Sequence, residues 1–134
     1  MKLLDTTFLI HYWAGEERTR EYLERHADDN EFVTTAINLK EIAAGKELQS
    51  QFNQNEIRST FNWVEVIPFD SEHAFIAGQL EADLRRDDTV DQDKINALVG
   101  DLLIVAVAKQ RGAPVVTQNE DDFAMFDGVT VETY

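Results

Sequence analysis

Three acidic side chains, Asp5, Glu41 and Asp101, stand where an apolar pattern leaves little reason for charge. Asp5 follows the apolar run "KLL" and closes a first strand. Glu41 shares a helical stripe with Ile37, Ala44 and Leu48, and Gly45, one turn on, leaves room beside it. Asp101 heads seven apolar residues, Leu102 to Ala108. An isolated buried carboxylate is costly or titrates to neutral. Each of the three has a plain structural role: helix cap for Asp5 and Asp101, core margin for Glu41. A fourth polar stretch, "TQNEDDF", offers Thr117, Asn119, Glu120, Asp121 and Asp122, and on its own reads as a solvated loop. Gathered in one place, such carboxylates repel one another and raise their own pKa values unless a cation neutralises them. All-oxygen ligands suit a hard cation, Mg²⁺ or Mn²⁺. A site of that kind can polarise a phosphoryl oxygen and activate water for in-line attack.

The elements that must gather them alternate along the chain. "KLL" is a strand, followed by a helix over "TTFLIHYWAG" capped by Thr6 or Thr7. "EERTREYLERHAD" is a second, solvated helix. "EFVTT" is a strand whose Thr35 caps the helix "AINLKEIAAGKEL". "QNEIRSTFNW" starts helical, and "WVEVIPF" is a strand stopped by Pro68. "DSEHAFIAGQLEADLRR" is a long helix with Ile76, Ala77, Leu80 and Leu84 on one stripe. "DDTVDQDK" reads as an acidic loop. "DLLIVAVAKQRG" is apolar nearly all round and so reads as a buried helix. "APVVT" and "VTVETY" are the closing strands. Strands alternating with helices imply a parallel sheet covered on both faces. Ligands of such sheets bind at the carboxyl ends of the strands. That rule draws Asp5, Asp101 and the 117–122 region toward one edge, with Glu41 on a helix that follows another strand.

The 134 residues suit one domain, 1–134, and a hydrophobic fraction of 43% suffices for a core. The chain has no cysteine, which excludes disulfides, thiolate zinc sites and a cysteine nucleophile. No signal peptide is visible, and no apolar run approaches the roughly 20 residues that span a bilayer. The expected location is cytoplasmic. Twelve basic against 26 acidic residues give a net charge of −14, and only five of the basic residues are lysines. That balance is unlike a typical nucleic-acid binder. It is the composition of proteins that stay soluble in molar salt, where the Debye length falls to about 3 Å. The expected result is a melting temperature that rises with KCl toward molar; maximal stability near zero salt would remove the salt-adaptation reading.

In order and spacing, "LLDTTFLI", Glu41 with Gly45 in "NLKEIAAG", "GDLLIVAVAKQRG" and "VVTQNEDDF" resemble the PIN-domain ribonucleases, most closely the VapC-type toxins of toxin–antitoxin pairs. The resemblance covers nearly the whole chain. It implies a three-layer α/β/α sandwich with a central, mainly parallel sheet, and Mg²⁺- or Mn²⁺-dependent endonucleolytic cleavage of RNA. By position, Asp5, Glu41 and Asp101 match the first three acidic residues of the family. Asn119 takes the fourth place, where the family often has Asp. An Asn oxygen is a weaker ligand, so Asp122 or Asp121 is a substitute carboxylate for a second metal. Asp5 and Asp101 are then the principal metal ligands, and Glu41 orients water or ligates a second ion. Thr6 and Thr117 are supporting or phosphate-contacting hydroxyls.

Phosphate contacts fall to Lys40, Arg85, Arg86 or Lys94, whereas His11, His26 and His73 show no ligand spacing. The resemblance also implies an antitoxin whose tail covers the site, and a homodimer. The apolar residues Phe8, Ile10, Tyr12 and Trp13 of the early helix face the core or a partner. Three other readings compete. One is a domain of this fold that binds RNA or protein without catalysis, for which Asn119 speaks. A second is an RNA-processing nuclease with no antitoxin. A third, a receiver-like phosphoacceptor, is opposed by the single Asp5 and by the lack of Lys in "VVTQN".

Overall fold

A computed structural model describes residues 1–134. Five parallel strands form one sheet in the order β3-β2-β1-β4-β5. They are β1 (Lys2–Leu4), β2 (Phe32–Thr35), β3 (Glu65–Ile67), β4 (Val115–Val116) and β5 (Val131–Glu132). Strand side chains alternate between faces, and the core divides accordingly. Leu3, Val33, Ile67 and Val115 point into one layer with α5 (Ser71–Arg86), α6 (Gln92–Ala97) and α7 (Val99–Arg111). Leu4 and Val116 point into the other, with α1 (Thr6–Trp13), α2 (Glu17–His26), α3 (Ala36–Leu48) and α4 (Gln54–Thr60). A last short helix, α8 (Glu120–Phe123), follows β4. This is the expected three-layer α/β/α arrangement. No helix is long and apolar enough to cross a membrane.

Several local readings are corrected. Asp5, not Thr6 or Thr7, is the N-cap of α1, and its carboxylate makes no capping bond because it is engaged elsewhere. The acidic loop closes into α6 from Gln92 onward, capped by Asp91. The polar 117–123 stretch contains α8. The buried helix α7 begins at Val99, so Asp101 is its third residue and Leu98 its N-cap. On α3 the expected stripe is displaced: Leu48 is 87% exposed, and the buried residues are Asn38 and Ile42. Glu41 is therefore at the margin of the core, flanking the buried face. On α1, Phe8 is buried and Tyr12 and Trp13 pack against the core, while Ile10 is exposed.

The helix signals that matter for the site are held by local chemistry. Thr35 caps α3 as expected, in a capping box with Asn38. Gly112 closes α7 in the left-handed region at φ 63°, which glycine adopts without strain. Gly112→Ala meets no steric neighbour, so the expected loss is that of the backbone alone, about 1 kcal/mol in urea unfolding.

Candidate active site

The strand ends and three helix starts meet at one edge of the sheet. Asp5 directly follows β1, and its backbone N–H donates to the Val116 carbonyl of the neighbouring strand. Its side chain is 2% exposed. Thr117 Oγ1 donates to Asp5 Oδ2 at 2.7 Å and Asn38 Nδ2 to Asp5 Oδ1 at 3.2 Å. Burial raises the Asp5 pKa above the ordinary carboxylate value, as does the charge of Glu41, while the Thr117 and Asn38 bonds oppose the rise. Thr6 Oγ1 donates to Glu41 Oε1 at 2.6 Å and accepts from Asn38 Nδ2 at 3.0 Å. Asn38 thus ties Asp5 to the Thr6–Glu41 pair.

Helix α7 brings the third carboxylate. A Cβ at Gly100 would lie 3.3 Å from Glu41 Oε2, so glycine lets the Glu41 carboxylate come up against the first turn of α7. A helix N-terminus favours negative charge there. Asp101, in that same turn, is pushed up to about 7 by burial and then by Asp5, Glu41 and Asp122. Lys94 opposes this weakly and is itself paired with Asp122 at 2.8 Å. Four carboxylates therefore share one edge with a single ammonium among them.

The residues expected at the fourth position lie at the start of α8. Asp122 faces Asp101, whereas Asp121 is exposed. Asn119 is the N-cap of α8 and makes no side-chain capping bond; its backbone N–H donates to Thr117 Oγ1 at 3.0 Å. Of the basic residues expected to meet phosphate, Lys94 lies beside the site. Arg85 and Arg86 pair with Glu81 and Asp83 on α5, and Lys40 lines a separate groove with Phe52 and Arg58. His73 caps α5, His26 packs on Tyr22, and His11 bonds Tyr134. Asn38 was not singled out by the sequence, and Thr7 only as a helix cap, because their roles here depend on contacts far along the chain.

The donor set can be tested against a hard cation. All the side chains are oxygen donors, and their mutual repulsion is what a divalent charge would cancel. No three of them converge tightly enough to chelate an ion among themselves. That spread suits an ion such as Mg²⁺, which keeps several waters and takes one or two carboxylates besides.

A family model for the PIN domain matches residues 2–129. The chain belongs to the PIN domain family. That family is one of nucleases. The PIN domain is similar to a DNA-bound VapBC from Salmonella typhimurium, at 27% identity and TM-score 0.78, covering 99% of this chain and 98% of that one. It is similar also to VapBC-5 of Mycobacterium tuberculosis, of the VapBC family of toxin-antitoxin systems, at 26% identity and TM-score 0.62, covering 98% and 95%. VapBC2 of Rickettsia felis, bound to a promoter DNA fragment, shares the fold at 21% identity and TM-score 0.80, covering 99% and 98%. No curated protein matches this chain by sequence.

The raised Asp101 has a consequence for stability without metal. Its folded value of about 7 lies above the ordinary 3.8. Unfolding therefore releases a proton between those values, and the stability present below pH 4 is lost as pH rises through about 7. Solvent reaches this half-buried group, so the expected loss between pH 5 and pH 8 is on the order of 1–2 kcal/mol, below the full value of the shift. Melts in chelator at the two pH values check it. Asp101→Asn should flatten the difference, and Mn²⁺ at pH 8 should restore the wild type.

Proposed function

We propose that this PIN domain is a divalent-metal-dependent endoribonuclease, the toxin of a toxin–antitoxin pair. The observation that carries the reading is the repulsive carboxylate set at the strand ends, with Asp101 raised to about 7 by burial and by its charged neighbours. Likeness to the Salmonella VapBC and to VapBC-5 over almost the full length supports the toxin assignment.

Asp5 and Asp101 would hold Mg²⁺ or Mn²⁺, with Glu41 and Asp122 at its margins. When bound, the ion supplies Lewis-acid polarisation of a phosphoryl oxygen and lowers the pKa of water. The chain's own residues do the rest. Thr117 and Asn38 donate to both oxygens of Asp5 and fix its plane. Thr6 occupies Glu41 Oε1 and leaves Oε2 turned toward α7, where it can take a proton from, or orient, an attacking water. Asp101, raised to about 7, would give up its proton to serve as a ligand. Lys94, beside Asp122, is the cation placed to meet substrate phosphate. With Lys94 the one base at this edge, a chain of net charge −14 would rely on a cation held by Asp5 and Asp101 for much of its attraction to RNA.

The partners follow from the same reading: RNA as substrate, an antitoxin that covers the acidic edge with basic side chains, and a second copy in a homodimer, all in the cytoplasm. The test is cleavage of a mixed structured RNA pool by purified protein, with and without Mn²⁺, at low and molar KCl. Cutting that needs Mn²⁺ and vanishes in Asp5→Asn and Asp101→Asn is the expected result. Cutting that survives in both variants would place the chemistry elsewhere. No cutting together with no Mn²⁺ binding would leave a binding domain without catalysis.

A further inference from the structure

Thr117 orients Asp5, yet the turn that carries Thr117 is followed by exposed residues, Gln118 to Asp121. Something must hold it. Gln118 is gripped from two sides. Its backbone N–H donates to Thr7 Oγ1 on α1 at 3.2 Å, and its side-chain amide donates to the Tyr134 carbonyl at 3.0 Å. Thr7 Oγ1 also lies 3.4 Å from Thr117 Oγ1. Tyr134 is in turn fastened to α1. Its ring packs edge-on against Phe8, with centroids 4.7 Å apart, and its hydroxyl meets His11 Nδ1 at 2.5 Å. His11 is one helical turn beyond Thr7, on the same face.

Each of these groups is shared with further partners. Arg18 Nη2 lies 3.2 Å and Glu16 Oε2 3.3 Å from the same His11 Nδ1. Burial raises the Tyr134 phenol above its ordinary value, and Thr7 is the first group to oppose the rise. The Thr7 oxygen stays an acceptor for Gln118, and the Thr117 oxygen for Asn119, so the Thr117 proton is committed to Asp5.

We propose that Tyr134 and His11 are positioning residues for Asp5: their contact clamps the chain's last strand to α1 and holds the Gln118 turn that aims Thr117 at the carboxylate. The role rests on the nuclease reading above. Neither side chain is hydrogen-bonded to Asp5, Glu41, Asp101 or Asp122.

Tyr134→Phe in the full chain keeps the ring on Phe8 and removes the hydroxyl alone. Metal ligands held by weakened outer partners typically lose affinity by about 10–100-fold, and a clamp one step further out should cost about three- to tenfold. The expected result is Mn²⁺ affinity and kcat both reduced by that factor, unchanged KM for RNA, and faster amide exchange at Gln118. His11→Leu should match it, and the double variant should be no worse than either, since both break one contact. Wild-type Mn²⁺ affinity with wild-type Gln118 exchange in Tyr134→Phe overturns the proposal, as do losses that add in the double variant. A wild type that neither binds Mn²⁺ nor cuts RNA instead sinks the nuclease reading, and unchanged exchange at Gln118 still overturns the clamp in that case.

Discussion

Asp101→Asn should abolish metal-dependent RNA cleavage and at the same time stabilise the metal-free protein. The two effects have one cause. Asp101 is ordinary in type and raised to about 7 by place, because burial and three carboxylates act on it together. Asn keeps the shape and removes the charge, so the repulsion at the head of α7 is relieved. Loss of a preorganised charge at a reacting centre costs about 10²–10³-fold in rate, and loss of a principal ligand should exceed that. Cleavage rates and melts at pH 8 in chelator measure the two sides. Asp5→Asn should lose activity equally but gain less stability. Both Asp5 oxygens accept, from Thr117 and from Asn38, and an amide nitrogen in either place would face a donor. A variant that lost activity and stability together at Asp101 would mean the charge is paired in a way the geometry does not suggest.

Ile104→Ala should be the most damaging change to the fold. Leu102, Ile104, Val105, Ala106, Val107 and Ala108 are all buried, so α7 has almost no solvent face. Truncating a buried Ile costs about 2–5 kcal/mol, through lost transfer energy and the cavity left behind. Against a total of about 5–15 kcal/mol for a domain, that is a large share. The site rides on this helix, with Asp101 one turn before Ile104, but the truncated side chain lies in the apolar core and carries none of the site's charge. The expected outcome is a much lower urea midpoint with cleavage per folded molecule within a few fold of wild type. The contrast with Asp101→Asn separates the helix as scaffold from its first turn as chemistry.

The parts of the site that sequence could locate are those where charge interrupts a pattern. Asp5 after an apolar strand and Asp101 before a buried helix broke periodicity sharply enough to be seen, and the parallel topology then forced them together. Glu41 was found by a weaker sign. The stripe that singled it out includes Leu48, which is exposed, whereas its position is set by Gly100 on a distant helix. The short helices α6 and α8 were missed because four to six residues cannot show a helical period. Their formation depends on packing, such as Ile95 and Phe123 buried in the core. Asn38, Thr7 and Tyr134 carry no signal of their own. Each is an ordinary polar residue whose partners lie across the fold, and only the folded chain brings them to Asp5.

The most direct test of the metal site is calorimetric titration of Mn²⁺ into metal-free wild type and Asp101→Asn at pH 7, in two buffers of different ionisation enthalpy. Saturable binding to the wild type with proton release, lost in the variant, is expected from a carboxylate that must give up its proton to the ion. Equal binding in both proteins, or none in the wild type, would contradict a divalent centre built on Asp5 and Asp101.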